Sequence, residues 1–352
     1  MSTIKRVAAK AGVSIATVSR VINKSSYVAL PLQKRVLEAM AALDYQPSAL
    51  ARGLRRNETQ SVGVLVPQLD QPFFSSIAHV IEKTLFAHGY RAFLCSAEED
   101  RDKESAYTEM LLRQRVDGLI LVPTGHSAAN VKRLLQAGVP VVLVDRDLPE
   151  LEIDRVLCDN FGGSYTLMNY LIELGHRSIC VISPPQHSGS IGQRFAGIDR
   201  ALGEAISQVA AEIVIDDRPL HFEMGFVAAQ RLLKRSRPPT ALMALNDVIA
   251  VGAIHAAWKS GLDLPADLSI TGFDDVPLAS YSHPDLTTVT QPTYEMGEHA
   301  VQYLLQRIQT PELEPRRLVL PTRLTVRNST SKPRSDPPRR KRRHREVSQG
   351  AG

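Results

Sequence analysis

From residue 61 to about residue 330 the chain alternates short apolar runs, rich in β-branched residues, with segments of helical periodicity. The runs are Val62–Val66, Ala92–Cys95, Leu119–Val122, Val141–Val144, Ile179–Ile182, Ile213–Ile215, Leu242–Leu245 and Leu268–Thr271. Helical stretches between them include Ser75–His88, Ala128–Ala137, Tyr165–Leu174 and Ile249–Ser260. An apolar run without polar alternation must be covered on both faces, and a helix after each strand supplies that cover. The pattern therefore predicts an α/β architecture with parallel sheets. So long an alternation exceeds what one sheet usually organises around a single core, so two lobes are expected.

In open parallel sheets, ligands bind beyond the carboxyl ends of the strands. The residues that follow the apolar runs are therefore the candidate contacts. They are Gln71, Phe73 and Phe74 after the first run, Asp145 and Arg146 after Val141–Val144, Asn246 and Asp247 after Leu242–Leu245, and Asp274 after Leu268–Thr271. Arg194 opens the helix after the fifth strand. Planar bidentate groups grip adjacent hydroxyls well, and charge strengthens such bonds. Aromatic faces stack on the C–H face of a sugar ring. The set suits a polyol and carries more carboxylate than a purine site needs. Plainer roles stay open: Asp145 and Arg146 can pair between lobes, and Phe73 and Phe74 can begin a helix core. Asp247 suits the N-cap of a helix from Val248, and His176 a structural turn.

The first sixty residues read differently. Ile4, Val7, Ala8 and Ala11 share one helix face, Thr3 stands at the N-cap position, and Gly12 permits a tight turn. Ser14 can cap a second helix whose inward face is Val18, Val21 and Ile22, which leaves Ile15, Ala16, Ser19, Arg20 and Asn23 outward. Pro31, Leu32, Val36, Met40 and Leu43 mark a third helix. Two short helices about a Gly-containing turn form a helix-turn-helix, whose second helix enters the DNA major groove. Charge is segregated to match. Residues 1–60 hold ten Lys/Arg against three Asp/Glu, residues 331–352 hold eight against two, and residues 61–330 hold 24 against 32. A basic head on an acidic body suits contact with a polyanion through the head alone.

The run TIKRVAAKAGVSIATVSRVIN resembles the headpiece of the lactose-repressor/galactose-repressor family of transcriptional regulators. VGVLVPQLDQPFF, RVDGLILVP, VVLVDRDLP, DNFGG, ELGHRSI, RFAGIDRAL, ALNDVIAVG, ITGFDD and TTVTQP resemble the same family, so the likeness runs from residue 3 to about 328. It implies a helix-turn-helix headpiece over 1–46, a hinge helix and linker over 47–60, and a two-lobed, periplasmic-binding-protein-like ligand and dimerisation domain over 61–329. Lobe 1 would take about 61–159 and 293–320, and lobe 2 about 162–290 and 322–329. The crossovers would lie near Asp159–Gly162, Thr290–Thr293 and Pro321–Thr322. The resemblance makes Ile15, Ala16 and Arg20 base-reading positions, and a guanidinium at Arg20 suits a guanine edge. Thr3, Ser14, Ser19, Asn23 and Tyr27 match positions on phosphates or base edges. Residues 47–56, PSALARGLRR, resemble the hinge helix. There Ala51 would let two copies approach, Leu54 would wedge between base pairs, and Arg55 would meet phosphate alongside Arg52 and Arg56. Gly53 and the short length disfavour that helix in isolation. In the body the resemblance marks nearly the same ligand residues, adds Gln291 on a crossover and Phe161 as a third wall, and is similar to ribose-type members. Three residues depart from the family's pattern: Arg6 replaces a common acid, Ala29 a polar cap, and Gln71 the usual Asn.

Several classes are disfavoured. No Walker, HExxH or GxSxG motif occurs, and neither DNFGG nor GFDD is a dinucleotide fingerprint, so neither enzyme activity nor a cofactor is expected. Cys95, Cys158 and Cys180 lack zinc spacing and read as buried thiols, with no metal expected. No run reaches the roughly 18 apolar residues of a bilayer span. The N-terminal MSTIKRVAAKAG has no signal-peptide pattern, so a cytoplasmic protein without a membrane partner is expected. Residues 330–352 are Pro-, Ser- and Arg-rich and read as a disordered basic tail, whose RRKRRHR either adds salt-sensitive DNA affinity or is merely solvated.

The expectation is a homodimeric repressor that reads a pseudo-palindromic double-stranded operator and is controlled by a small sugar. A co-repressor-dependent or activating regulator is the alternative. If Leu54 is the wedge, Leu54→Ala weakens operator binding and reduces DNA bending while effector affinity is unchanged. An unaltered bend in a circular-permutation gel shift removes the wedge from the mechanism.

Overall fold

The computed structural model describes residues 3–23, 26–45, 58–125, 127–185, 189–205, 209–215 and 222–334. It divides into two compact units, Met1–Gln60 and Ser61–Gly352.

In the first unit, α1 (Ile4–Ala11), α2 (Ile15–Asn23) and α3 (Leu30–Ala42) meet around Val7, Val18 and Val36, all fully buried. Gly12 ends α1 in the left-handed region at φ +61°, which its missing Cβ makes cheap. Arg35 reaches over from α3 and donates to the carbonyls of Ala11 and Gly12, so orphan acceptors at this helix end are satisfied. Ser14 Oγ accepts from the Thr17 N–H at 3.1 Å and caps α2. Thr3 occupies the N-cap position of α1 without a side-chain capping bond, and Ala29 starts α3 without one.

The second unit holds two parallel sheets. β1 (Ser61–Val66), β2 (Arg91–Ser96), β3 (Gly118–Leu121), β4 (Val141–Val144), β5 (Asp154–Cys158) and β11 (Arg317–Leu320) form the first, in the order β11-β5-β4-β3-β1-β2. β6 (Ser178–Ser183), β7 (Ala210–Ile215), β8 (Ala241–Ala244) and β9 (Ser269–Thr271) form the second, in the order β7-β6-β8-β9. β10 (Thr288–Thr290) and β12 (Arg323–Thr325) pair antiparallel. The helices are α4 (Pro72–Ala87), α5 (Arg101–Gln114), α6 (Ala128–Gln136), α7 (Asn160–Glu173), α8 (Gly189–Glu204), α9 (Phe222–Leu233), α10 (Asp247–Lys259) and α11 (Thr293–Gln309).

Strand alternation sorts the apolar side chains onto two faces of each sheet. Val62, Val64 and Val66 of β1 enter a core with Ile77 and Ile81 of α4 and Val301 of α11. Leu65 points the other way, into a core with Leu111 of α5 and Leu134 of α6. In the second sheet Cys180 and Ile182 meet α9 and α10, while Ile179 and Val181 meet Leu167 of α7 and Ile198 of α8. All three cysteines are buried and unpaired.

The chain passes between the sheets where β5 leads into α7, where β10 leads into α11, and where β11 leads into β12. Two of these strands of chain are bonded together. The Asp159 N–H donates to the Leu320 carbonyl at 2.9 Å, and Thr322 Oγ1 donates to the Asp159 carbonyl at 3.0 Å.

The structure differs from the sequence reading in four places. α7 begins at Asn160 rather than Tyr165, because the Asp159 carboxylate accepts from the Gly162 N–H at 2.8 Å and caps it. Asn246, not Asp247, caps α10, with its side-chain oxygen 2.8 Å from the Ile249 N–H. β5, β10, β11 and β12 escaped the search for apolar runs; β5 opens on Asp154 and Arg155. Thr330–Arg334, assigned to a disordered tail, pack against the second sheet instead. Ser329 exchanges backbone and side-chain bonds with Ile270, His176 Nε2 lies 3.0 Å from the Ser331 carbonyl, and Arg334 pairs with Asp267. An edge strand with open backbone groups attracts such a segment. The rest of the tail, and the hinge segment over 47–57, lie outside the described residues.

α9 and α10 cross at two glycines. A Cβ on Gly225 would land on the Ile249 carbonyl, and one on Gly252 on the Phe222 carbonyl. Helical Gly→Ala ordinarily gains up to about 1 kcal/mol. Gly225→Ala and Gly252→Ala should each instead cost ~1–3 kcal/mol by overpacking. Gly192→Ala on α8, where a Cβ meets open space, should stabilise. Urea unfolding of the three variants checks the contrast in sign.

Candidate functional site

On the first unit, α2 turns Ile15, Ala16 and Arg20 to solvent, with Ser19 half-buried between them. Thr3 and Ser14 are exposed, and Tyr27 is 89% exposed. Asn23 is the last residue of α2. A cap at Ser14 fixes the N-terminal end of this helix, from which its side chains project. Ala51, Leu54 and Arg55 lie outside the described residues.

On the second unit, the other candidates gather where the carboxyl ends of the two sheets face each other. From the first sheet come Gln71, Phe73 and Phe74 at the start of α4, with Asp145 and Arg146 after β4, all buried. The rings of Phe73 and Phe74 stand 5.3 Å apart, edge to face. From the second sheet come Arg194 in α8, Asn246 at the start of α10, and Asp274 beyond β9. Gln291 sits on the crossover after β10 and donates to Asp274 Oδ1 at 2.7 Å. Phe161, in the first turn of α7, is half exposed and stacked with Tyr165 at 6.4 Å.

Asp145 and Asp274 both hold positive φ, +66° and +116°. Non-glycine residues pay for that backbone, and the surrounding fold must hold them there. The strain aims each carboxylate past the end of its strand. Burial pushes both acids up. For Asp145 the neighbouring charges of Arg146 and Arg194 oppose the rise. Asp274 is pushed up to about 7, with Arg194 and the Gln291 bond pulling it down. Arg194 pulls Asp145 down and Asp145 pushes Asp274 up, so charged groups of the two sheets lie within electrostatic reach of one another.

Arg194 stands over the Phe273 ring at 3.7 Å and donates to Asn160 at 2.8 Å, to Asp274 at 3.4 Å and to the Leu245 carbonyl. Arg146 lies over Phe74 at 5.4 Å and forks onto Glu99 at 2.7 and 3.0 Å. The Asp145–Arg146 pair raised by the sequence forms only as a long contact of 3.9 Å and within one lobe, and the guanidinium's short partner is Glu99 of the same sheet. Asp145 Oδ1, Arg146 Nε and Gln291 Oε1 are buried without a hydrogen-bond partner in the protein. Such atoms are costly unless something else bonds to them.

Asp247 lies outside this role. It is fully buried and accepts from the Val276 N–H at 2.8 Å and from the Thr288 hydroxyl at 2.5 Å. His176 bonds to Thr240, Ser269 and the Ser331 carbonyl, which makes it structural. The residue-by-residue reading missed Glu99 and Asn160. Glu99 also follows a strand, but in the run AEEDRDKE it looks like solvent-facing turn. Among the described residues no group of acids, cysteines and histidines could hold a metal, and no helix is long and apolar enough to cross a membrane.

Residues 3–48 match the family of bacterial regulatory proteins described as the lacI family. Residues 59–328 match the family described as periplasmic binding proteins and sugar binding domain of the LacI family. The chain is 37% identical to the HTH-type transcriptional repressor PurR of Haemophilus influenzae (strain PittEE) over 309 residues, covering 88% of this chain and 91% of the relative. It is 39% identical to PurR of Proteus mirabilis (strain HI4320) over 328 residues, covering 90% and 95%. Among solved structures, the lac repressor dimer bound to operator and the anti-inducer ONPF matches with a TM-score of 0.81 at 30% identity, over 94% of this chain and all but 1% of that one (99%). A regulator from Enterococcus faecium with bound ribose matches at 0.72 and 30% identity, over 78% and 100%.

The raised Asp274 makes a pH prediction. Its carboxyl is more basic folded than unfolded, so the stabilisation is full below about pH 4, the ordinary carboxylate range. It is lost as pH rises through the folded value of about 7. Without ligand, the thermal midpoint of the wild type relative to Asp274→Asn should therefore fall between pH 4 and 7 and then level. A difference that stays constant over that range contradicts the burial of this acid.

Proposed function

Since the chain belongs to the LacI family of bacterial regulatory proteins, and is a DNA-binding transcriptional repressor under the control of a small molecule, we propose that its effector is a small sugar bound between the two sheets. The observation that carries this is the set of buried, unpartnered atoms on Asp145, Arg146 and Gln291 beside the walls of Phe73 and Phe74. They supply two acceptors and one donor to adjacent hydroxyls, and the rings supply an apolar face. Asp274 adds a second carboxylate from the opposite sheet, and Gln71 and Asn246 line the same strand ends. Phe161, half exposed beside the crossover, completes one wall. The ribose found in the Enterococcus faecium relative agrees with this chemistry.

DNA contact falls to the headpiece. Arg20, Ile15 and Ala16 face outward on α2 and read bases; Thr3, Ser14, Ser19, Asn23 and Tyr27 hold phosphates or base edges. Ala51, Leu54 and Arg55 act in the hinge. The working form is a homodimer on a pseudo-palindromic operator, in keeping with the dimeric lac repressor. Exposed Phe93 and Leu94 on the edge strand β2 favour association with a second copy. Sugar draws the two sheets together through groups belonging to each. The crossovers, tied by Asp159, Leu320 and Thr322, transmit the change. The coupling needed is typically about 1–3 kcal/mol and is reciprocal between sugar and DNA.

Fluorescence anisotropy of the full chain on its own upstream DNA, titrated with pentoses, hexoses and purines, tests the proposal. One neutral sugar should change the DNA affinity by about tenfold or more. Arg194→Ala should bind DNA normally and lose that response. A response to a purine and to no sugar overturns the proposed effector class.

A further inference from the structure

Both guanidiniums of the cleft are committed to protein partners. Arg194 places its three nitrogens on Asn160, the Leu245 carbonyl and Asp274. Arg146 places Nη2 on Glu99 Oε1 at 2.7 Å, and Nη1 on Glu99 Oε2 and the Pro123 carbonyl, each at 3.0 Å. Of the guanidinium nitrogens, Arg146 Nε is the one with no hydrogen-bond partner. An anionic ligand is held best by the paired terminal N–H groups of an arginine. Here that pair is already taken, by a carboxylate.

Glu99 is not there by chance of a loose loop. It sits in a turn where Glu98 and Glu99 both hold positive φ, +54° and +55°. Lys103 pairs with Glu98 from the first turn of α5, and Asp100 caps that helix by accepting from the N–H groups of Asp102 and Lys103 at 2.7 and 2.9 Å. The cap braces the turn from which Glu99 reaches Arg146, and the exposed ion pair adds little. Its partly exposed carboxylate then joins the buried Asp145 and Asp274, so three acids stand with two guanidiniums. An anion brought into that setting meets like charge and finds the terminal fork of Arg146 already on Glu99, whereas a hydroxyl finds Arg146 Nε and two carboxylates.

We propose that Glu99 is a specificity-determining residue, which clamps Arg146 so that the cleft takes an uncharged sugar and rejects the same sugar carrying a phosphate or carboxylate. The inference rests on the reading of this cleft as a sugar site. It assigns Glu99 a role through Arg146 rather than contact with the ligand.

Calorimetric titration of the full chain with D-ribose and D-xylose, each with and without a 5-phosphate, tests it. The wild type should favour the neutral form by about a hundredfold or more, and Glu99→Gln should narrow that ratio by about tenfold or more by strengthening the phosphate. Glu99→Asp, which keeps the charge, should hold the wild-type ratio. Operator affinity of each variant serves as the check on folding. Equal discrimination by wild type and Glu99→Gln overturns the role of Glu99 and leaves the sugar site standing. So does a wild type that binds the phosphate as tightly as the neutral sugar. A wild type that binds none of the four overturns both.

Discussion

A charge removed from water loses several kcal/mol of hydration, and a pair of charges recovers this only with good geometry and additional hydrogen bonds. The body of this protein buries Arg146, Arg194, Asp145 and Asp274 where its two sheets meet. Each guanidinium is therefore surrounded by acceptors from several elements. Arg194 draws on α7, the end of β8 and the loop after β9, and lies on the ring of Phe273. Arg146 draws on the turns after β2 and β3. Those demands fix the positions of strand ends and helix starts that are far apart in sequence. They leave atoms on Asp145, Arg146 and Gln291 without a hydrogen-bond partner, and the sugar proposed above would supply the complementary donors and acceptor.

The scaffold makes such precision possible because it is apolar on both faces of both sheets. β1 buries all six of its residues, with Val62, Val64 and Val66 in one core and Leu65 in another. A strand locked by two cores holds its carboxyl end in place, and Asp145 and Asp274 keep a costly positive φ only because β4 and β9 hold them there. The same packing brings α9 and α10 together with no room for a Cβ at Gly225 or Gly252. Rigidity within each lobe leaves the three crossovers as the places where the lobes can move.

Polar clamps away from the cleft support that rigidity. Asp154, fully shielded, is held by Arg307 of α11 and Arg316 ahead of β11, and its carboxyl lies below the usual range because those bonds outweigh burial. Glu104 receives Thr124, Ser127 and Asn130, which ties α5 to the start of α6. His176 fastens Ser331 to the far end of the second sheet, and burial lowers its basicity, so it holds the segment as a neutral ring.

The amino-acid sequence by itself determined the class of fold, because unbroken apolar runs and helical periodicity are properties of adjacent residues. It also determined the headpiece, since helical periodicity in each of three helices puts Val7, Val18 and Val36 on inward faces and Arg20 outward. The strand-end rule singled out Asp145, Arg146, Asn246 and Asp274 from local position alone. What only the tertiary structure decided is who bonds to whom. β5 is a strand despite Asp154 and Arg155 because Arg307 and Arg316, 153 and 162 residues later, pair with the acid. Thr330–Arg334 hold an ordered path because an open strand edge and His176 receive them. Glu99 reads as one acid among several in a solvated turn until the sheet aligns the carboxyl ends of β2 and β4, with β1 and β3 between them, and the turns beyond set it against Arg146. Periodicity is local and survives in the sequence; the pairing of buried charges depends on distances that exist only once the chain has folded.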